Sequence, residues 1–269
     1  MIEFSWPGGL RDGILVTDNA LSEEICEVVV ENLSKIIDEL GRQGQTAGGV
    51  NTTYKKSTDI RLVEETLALV TDDNIRLVLV NFVNSLHHAI NVCYSEYRRN
   101  MRALWHLSGM YDSGFQVQRY SKVNDYYREH VDSFPWIDEL STRALSVVVY
   151  LNDIEQGGET DFSLQDIKVK PKSGRICVFP SNFTHPHSGN PPLSSDKWIV
   201  STFLYGLVES SAPTNHHHDH HDHSDHSHDE TETSISMNHD ISTNNEHYHV
   251  CVQCANGESH ECTYEDRHH

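Results

Sequence analysis

YSKVNDYYREHVD, residues Tyr120 to Asp132, ends in His130-Val131-Asp132. Alternate side chains of an extended segment share a face, so an H-x-D pair can put an imidazole and a carboxylate on one side while Val131 packs on the other. A histidine further along, in the THPHSG stretch Thr184–Gly189, can complete a three-ligand face. Two histidines and one carboxylate leave half of an octahedral iron(II) shell open, as a metal needs if it must bind a cosubstrate and O2 together. An isolated H-x-D would more often be a solvated strand edge. Its setting argues otherwise.

From Gly114 onward the texture is β. FQVQRY, ALSVVVYL, ETDFSL, DIKVKP, GRICVFP and KWIVSTFLYG are short runs rich in Val, Ile, Phe, Tyr and Thr, separated by turn residues. Strands in succession without intervening helices fit a sandwich or jelly roll, not a βαβ fold. Two helices precede them. In LSEEICEVVVENLSKIIDEL, Ile25, Val28, Val29, Leu33, Ile36, Ile37 and Leu40 recur at helical spacing. A second helix is expected from Asp72 to Tyr97, carrying Ile75, Leu77, Val78, Val80, Phe82, Val83, Leu86, Ile90 and Cys93 over an arc wide enough to imply extensive burial. His87 and His88 on this helix lack an adjacent acid and read as a surface or packing pair.

The stretches YSKVNDYYREHVD, YLNDIEQGGET (Tyr150–Thr160) and FPSNFTHPHSGNPPLSSDKWIVSTF (Phe179–Phe203) together resemble the prolyl 4-hydroxylase-like branch of the 2-oxoglutarate- and iron(II)-dependent oxygenases. The resemblance runs from about Leu15 to Leu207 and is strong from Phe115. It implies an α+β fold: a double-stranded β-helix, or jelly roll, with N-terminal helices on its outer face. It implies iron ligands His130, Asp132 and His187. His187 is preferred over His185 because the family's interval from this ligand to a basic residue is about ten, which leads to Lys197; His185 then belongs to the rim or supports the ligands. The resemblance also implies that Lys197 holds the distal carboxylate of 2-oxoglutarate, helped by Tyr150 and Ser201, and that Tyr120 orients the cosubstrate. Tyr127 is a weaker candidate, and the sequence departs from the family at Lys122–Asp125, where many relatives carry glycines.

A buried lysine on the Lys197, Ile199, Ser201, Phe203 face of a strand would be costly without an anion to pair with, and a dicarboxylate resolves that cost. Gly157 and Gly158 of GGET are assigned to architecture, because glycine tolerates positive φ and close approach. The implied activity is decarboxylation of 2-oxoglutarate to succinate with O2, coupled to hydroxylation, with ascorbate as an accessory. A proline-containing protein or peptide is the expected substrate; another protein side chain or a free amino acid is the alternative.

Composition sets the boundaries. From Ala212 the chain holds fourteen of the twenty histidines and twelve of the forty acidic residues but one of the twenty basic ones. Residues 1–211 are expected to form the oxygenase domain and 212–269 a low-complexity, disordered tail. Its HHHDHHDHSDHSHDE run, His216–Glu230, can bind further divalent metals loosely. Cys251 and Cys254, with Cys262, His247, His249 and His260, could form a small zinc site. A purely tail-driven, non-catalytic metal-binding protein is the reading from a different class. The acidic balance, −20 overall, argues against general nucleic-acid affinity. No apolar run approaches the roughly 20 residues of a membrane span, and MIEFSWPGG lacks a secretory pattern, so a cytoplasmic location is expected. Cys26, Cys93 and Cys177 sit in apolar contexts and are expected to be reduced.

Overall fold

The structure is a computed structural model that describes residues 1–46, 48–102, 104, 109–133, 143–207 and 249–250. In chain order the elements are β1 (Glu3–Ser5), β2 (Leu15–Asp18), α1 (Glu23–Leu40), β3 (Arg42–Gln43), β4 (Gln45–Thr46), β5 (Gly49–Val50), β6 (Lys55–Lys56), β7 (Thr58–Arg61), α2 (Glu64–Ala68) and α3 (Asp73–Asn100). Strands follow: β8 (Gly109–Asp112), β9 (Gln116–Tyr120), β10 (Tyr126–His130), β11 (Arg143–Tyr150), β12 (Thr160–Phe162), β13 (Ile167–Val169), β14 (Ile176–Pro180), β15 (His187–Gly189), β16 (Lys197–Leu207) and β17 (His249–Val250).

Both long helices start where the sequence supplies a cap. The Ser22 hydroxyl accepts from the Ile25 amide, and the Asp72 carboxylate accepts from the amides of Asn74 and Ile75. Helix α1 buries Cys26, Val29, Leu33, Ile36 and Ile37, one stripe at helical spacing. Helix α3 is less buried than its composition implies. Its inner stripe is Ile75, Leu79, Phe82, Leu86, Ile90 and Cys93, while Leu77 and Val80 are 59% and 41% exposed. A helix lying on a sheet has one covered face, and residue 77 sits about 200° around the axis from residue 75.

The strands form a large antiparallel sheet in the order β1-β2-β14-β11-β16-β9-β7-β3, with β8 alongside the C-terminal part of β16. A smaller antiparallel sheet runs β13-β12-β15-β10-β6. Period-two alternation sorts the large sheet's side chains between two cores. On β14, Ile176 and Val178 join the core that contains α1 and α3, whereas Cys177 and Phe179 join the second core with Phe162, Ile167 and Val169 of the smaller sheet. Leu15 against Ile14 and Val16, and Val200 against Ile199, divide the same way. The large sheet is therefore a partition, with helices on one side and the second sheet on the other. This mostly antiparallel arrangement fits the expected jelly roll.

The three cysteines of this part are free and buried, as expected, and burial pushes the Cys93 thiol up to about 12. Among the described residues no helix is long and apolar enough to cross a membrane. The chain divides into two units, one of Met1–Val208 with His247–His269 and one of Glu209–Glu246. Of the tail that was expected to be disordered, His249–Val250 instead pairs with β8 as β17. The His216–Glu230 run and the cysteines from Cys251 onward lie outside the described residues.

Candidate active site and metal centre

A cavity of about 290 Å³ opens between the two sheets. The smaller sheet brings His130, at the end of β10, opposite His187, at the start of β15. Asp132 lies just beyond the strand, not on it. Its amide and that of Ser133 both donate to the Ser181 carbonyl, which turns the carboxylate back toward the two imidazoles. One ligand atom from each of His130, Asp132 and His187 lies within 4.8 Å of the others, and this is the one such group among the described residues.

The hydrogen bonds around the trio suit a cation. His130 Nδ1 faces the Arg128 carbonyl at 2.9 Å, and His187 Nδ1 faces the His185 carbonyl at 3.1 Å. A carbonyl can only accept, so each Nδ1 carries a proton, and in a neutral ring Nε2 keeps its lone pair. Those lone pairs point at Asp132, with His130 Nε2 3.3 Å from Oδ1 and His187 Nε2 3.5 Å from Oδ2. Two imidazoles and a carboxylate converge, a donor set that a divalent ion satisfies. Burial holds the His187 imidazolium down, to about 4, so the ring stays neutral near pH 7. Burial would raise the Asp132 carboxyl, but His187, His130 and the Ser146 hydroxyl together bring it well below the usual carboxylate range. Ser146 Oγ donates to Asp132 Oδ2 at 2.6 Å and touches Ser181 Oγ at 2.8 Å.

His185 is elsewhere. Its Nε2 lies 2.7 Å from the Asp12 carbonyl and its Nδ1 2.7 Å from Thr184 Oγ1, so its ring ties the strand entry to the N-terminal segment while its own carbonyl orients His187. His87 is also outside the site, against Asp112 at 3.3 Å.

Lys197 begins β16 and lines the cavity, 2% exposed. Its ammonium donates to the Gly158 carbonyl at 3.0 Å and lies 4.6 Å from the centre of the Tyr120 ring. Burial lowers it to about 8, only partly offset by Glu159. Both glycines of the turn have positive φ, 71° at Gly157 and 76° at Gly158, and a Cβ on Gly157 would come within 2.3 Å of the Pro191 carbonyl oxygen. The turn aims the Gly158 carbonyl at the ammonium.

Tyr120 and Ser201 line the cavity and are linked through Gln118, whose Oε1 accepts from the Tyr120 hydroxyl and whose Nε2 donates to Ser201 Oγ. Tyr150 does not line it. Its fully buried hydroxyl is 2.7 Å from Thr160 Oγ1, and Thr160 occupies the wall in its place. Burial pushes both phenols well up, so they act as neutral hydrogen-bonding groups. Tyr127 stacks on His130 with ring centres 3.5 Å apart. Sequence reasoning missed Lys55, Gln116, Gln118 and Arg143 in the same wall. The alternation Gln116, Gln118, Tyr120 along β9 was the available signal.

Residues 115–205 match the 2OG-Fe(II) oxygenase superfamily. The matched segment contains His130, Asp132, His187 and Lys197. An Acanthamoeba polyphaga mimivirus protein that carries a prolyl 4-hydroxylase name is 38% identical over 105 residues, 33% of this chain and 43% of that protein. Prolyl 4-hydroxylase 13 of Arabidopsis thaliana is 24% identical over 119 residues, 35% of this chain and 43% of that protein. The chain spans less than half the length of these curated relatives. In fold, it resembles the viral collagen prolyl hydroxylase of Paramecium bursaria Chlorella virus-1, solved as a 2OG complex. The TM-score is 0.52 at 20% identity, covering 74% of this chain and 99% of that one. A Trichoplax adhaerens prolyl hydroxylase in complex with a hypoxia-inducible-factor peptide fragment gives a TM-score of 0.55 at 15% identity, covering 73% and 84%.

Proposed function

We propose that this chain is an iron(II)- and 2-oxoglutarate-dependent hydroxylase of peptidyl proline, built on a double-stranded β-helix. The observation that carries the reading is the convergence of His130, Asp132 and His187 in the same cavity as the buried ammonium of Lys197. His130, Asp132 and His187 would hold the iron. Lys197 would hold the distal carboxylate of 2-oxoglutarate, which supplies the negative charge a buried lysine needs. Ser201 and Tyr120 would flank it through Gln118, and Tyr150 would act through Thr160. The chemistry such a centre supplies is O2-driven decarboxylation of 2-oxoglutarate to succinate and CO2, with the second oxygen atom inserted into a substrate C–H bond.

A second depression supports a peptide as the oxygen acceptor. It is lined by Tyr54, Tyr126, Tyr127, Ser188, Gly189 and Pro191 among others, and it shares Tyr127, Ser188 and Gly189 with the metal cavity. Aromatic-lined grooves suit proline-rich segments, whose extended conformation is already ordered. The test is anaerobic titration with iron(II) and 2-oxoglutarate, then O2 and a peptide library with mass-spectrometric detection of added oxygen. Stoichiometric succinate and a 16 Da gain on proline, one oxygen atom by chemistry, are expected. Absence of succinate under every condition would overturn the reading. The His-rich tail would bind further divalent metals independently, and ascorbate would act as an accessory reductant.

A further inference from the structure

Two lysines line the metal cavity, and the electrostatics of their surroundings differ. Lys197 has a backbone carbonyl and an aromatic face beside its ammonium, with Glu159 as a charge acting on it. Lys55, 3% exposed, is 2.8 Å from Asp59 Oδ2, and Asp59 is 6% exposed. That carboxylate is itself fully engaged: Ser57 Oγ donates to Oδ1 at 2.7 Å and Gln116 Nε2 donates to Oδ2 at 2.7 Å. The backbone closes over this cluster at Gly44, where a Cβ would lie 2.1 Å from Ser57 Oγ and 3.0 Å from Lys55 Cε.

The two lysines reach the cavity from different sheets, Lys55 from β6 of the smaller one and Lys197 from β16 of the larger one. Lys197 pairs in register with Tyr120 on β9, while Asp59 is bonded to Gln116, four residues earlier on the same strand. Lys55 pairs instead with Tyr127 on β10, with its ammonium 5.2 Å from the Tyr127 ring. Tyr127 in turn stacks on His130 and forms the shared border between the metal cavity and the tyrosine-lined groove.

We propose that Lys55 binds the primary substrate by donating to a peptide backbone carbonyl next to the residue that is hydroxylated. This inference rests on the oxygenase reading above. An ammonium has three N–H donors, and among the described residues Asp59 is the one hydrogen-bond acceptor of Lys55. The donors that remain belong to a group lining the cavity. Because Asp59 already neutralises the charge, the site has little attraction left for a second carboxylate, yet it still offers a strong donor to a neutral dipole. An amide carbonyl meets that requirement, and the carboxylate of a free amino acid does not. The pair therefore selects peptides over free amino acids, and it does so from the sheet opposite Lys197.

The test compares wild-type protein with Lys55→Met, Lys55→Arg and the double variant Lys55→Met/Asp59→Asn, which removes the ion pair without leaving a lone buried charge. The substrate is the best acceptor peptide from the library, acetylated and amidated at its ends. Lys55→Met and the double variant should raise the peptide KM about 10-fold or more, the loss of one hydrogen bond from a charged donor. KM for 2-oxoglutarate and iron(II) affinity should stay within about twofold, and Lys55→Arg should recover much of the loss. Anaerobic binding of a fluorescent form of the peptide should weaken in parallel. An unchanged peptide KM in both Met variants, or a preference of the wild type for free proline over the capped peptide, would overturn the proposal. Failure of the oxygenase reading is separately visible as wild-type protein that forms no succinate.

Discussion

At the scale of single residues, the two histidines of THPHSG separate cleanly. His187→Ala should abolish succinate formation and metal binding. His185→Ala should keep succinate formation while loosening iron(II) binding, because its ring moors the segment that orients His187, and should lower stability by about 1–3 kcal/mol, the cost of unpairing buried polar groups, read as a shift in the denaturant midpoint. Ser146→Ala should weaken iron(II) affinity about 10- to 100-fold, as removal of a ligand's hydrogen-bonding support typically does, measured by anaerobic titration; Ser146→Thr should restore it. Lys197 gives a pH dependence. With its ammonium lowered by burial to about 8 from 10.5, it is charged in the folded protein below about pH 8 and loses its proton above. The unfolded chain holds that proton up to 10.5, so this lysine makes stability rise with pH between the two values and costs most below 8. Anion binding runs the other way. Affinity for 2-oxoglutarate should fall as pH rises above about 8, and Lys197→Arg, which stays charged, should remove that alkaline limb in a plot of kcat/KM for 2-oxoglutarate. The grouping of His130, Asp132 and His187 was legible because its members are few and chemically marked, and two of them stand two positions apart. Lys55, Asp59 and Gln116 were not, because their meeting depends on how β6 of the smaller sheet lies against β7 and β9 of the larger one, and a Lys-x3-Asp spacing carries no sign of a cavity.

At the scale of elements, period-two patterning made the strands from Phe115 readable, and the helices announced themselves through caps and stripes. Two details escaped. The Asp132 carboxylate is set by hydrogen bonds from the Asp132 and Ser133 amides to the Ser181 carbonyl after β10 has ended, so Asp132 meets His130 through a local geometry other than strand alternation. The outer face of α3 carries Leu77 and Val80 in solvent, because composition alone does not say which side of a helix the sheet will cover. The GGET turn behaves as its glycines imply. Gly157→Ala should cost about 1–3 kcal/mol from backbone strain and should also raise KM for 2-oxoglutarate, since the clash with Pro191 displaces the turn that positions the Gly158 carbonyl at Lys197. Thermal unfolding and steady-state kinetics on the same variant would reveal both effects, and wild-type values for both would refute the role given to the turn.

At the scale of the whole molecule, composition changes abruptly at Ala212, whereas the compact units divide the chain as Met1–Val208 with His247–His269 and Glu209–Glu246. A protein ending at Ser211 should keep peptide-dependent succinate formation, while total bound zinc or nickel, measured by elemental analysis, should fall to about one ion or fewer per chain, the single three-ligand centre. The His185–Asp12 bond has a consequence at the opposite terminus. Because that ring moors the entry to β15, and the neighbouring carbonyl fixes how His187 turns, the opening dozen residues serve as a buttress for a ligand some 170 positions away. Trimming or proteolytic nicking there would loosen the iron seat without touching any atom that grips it.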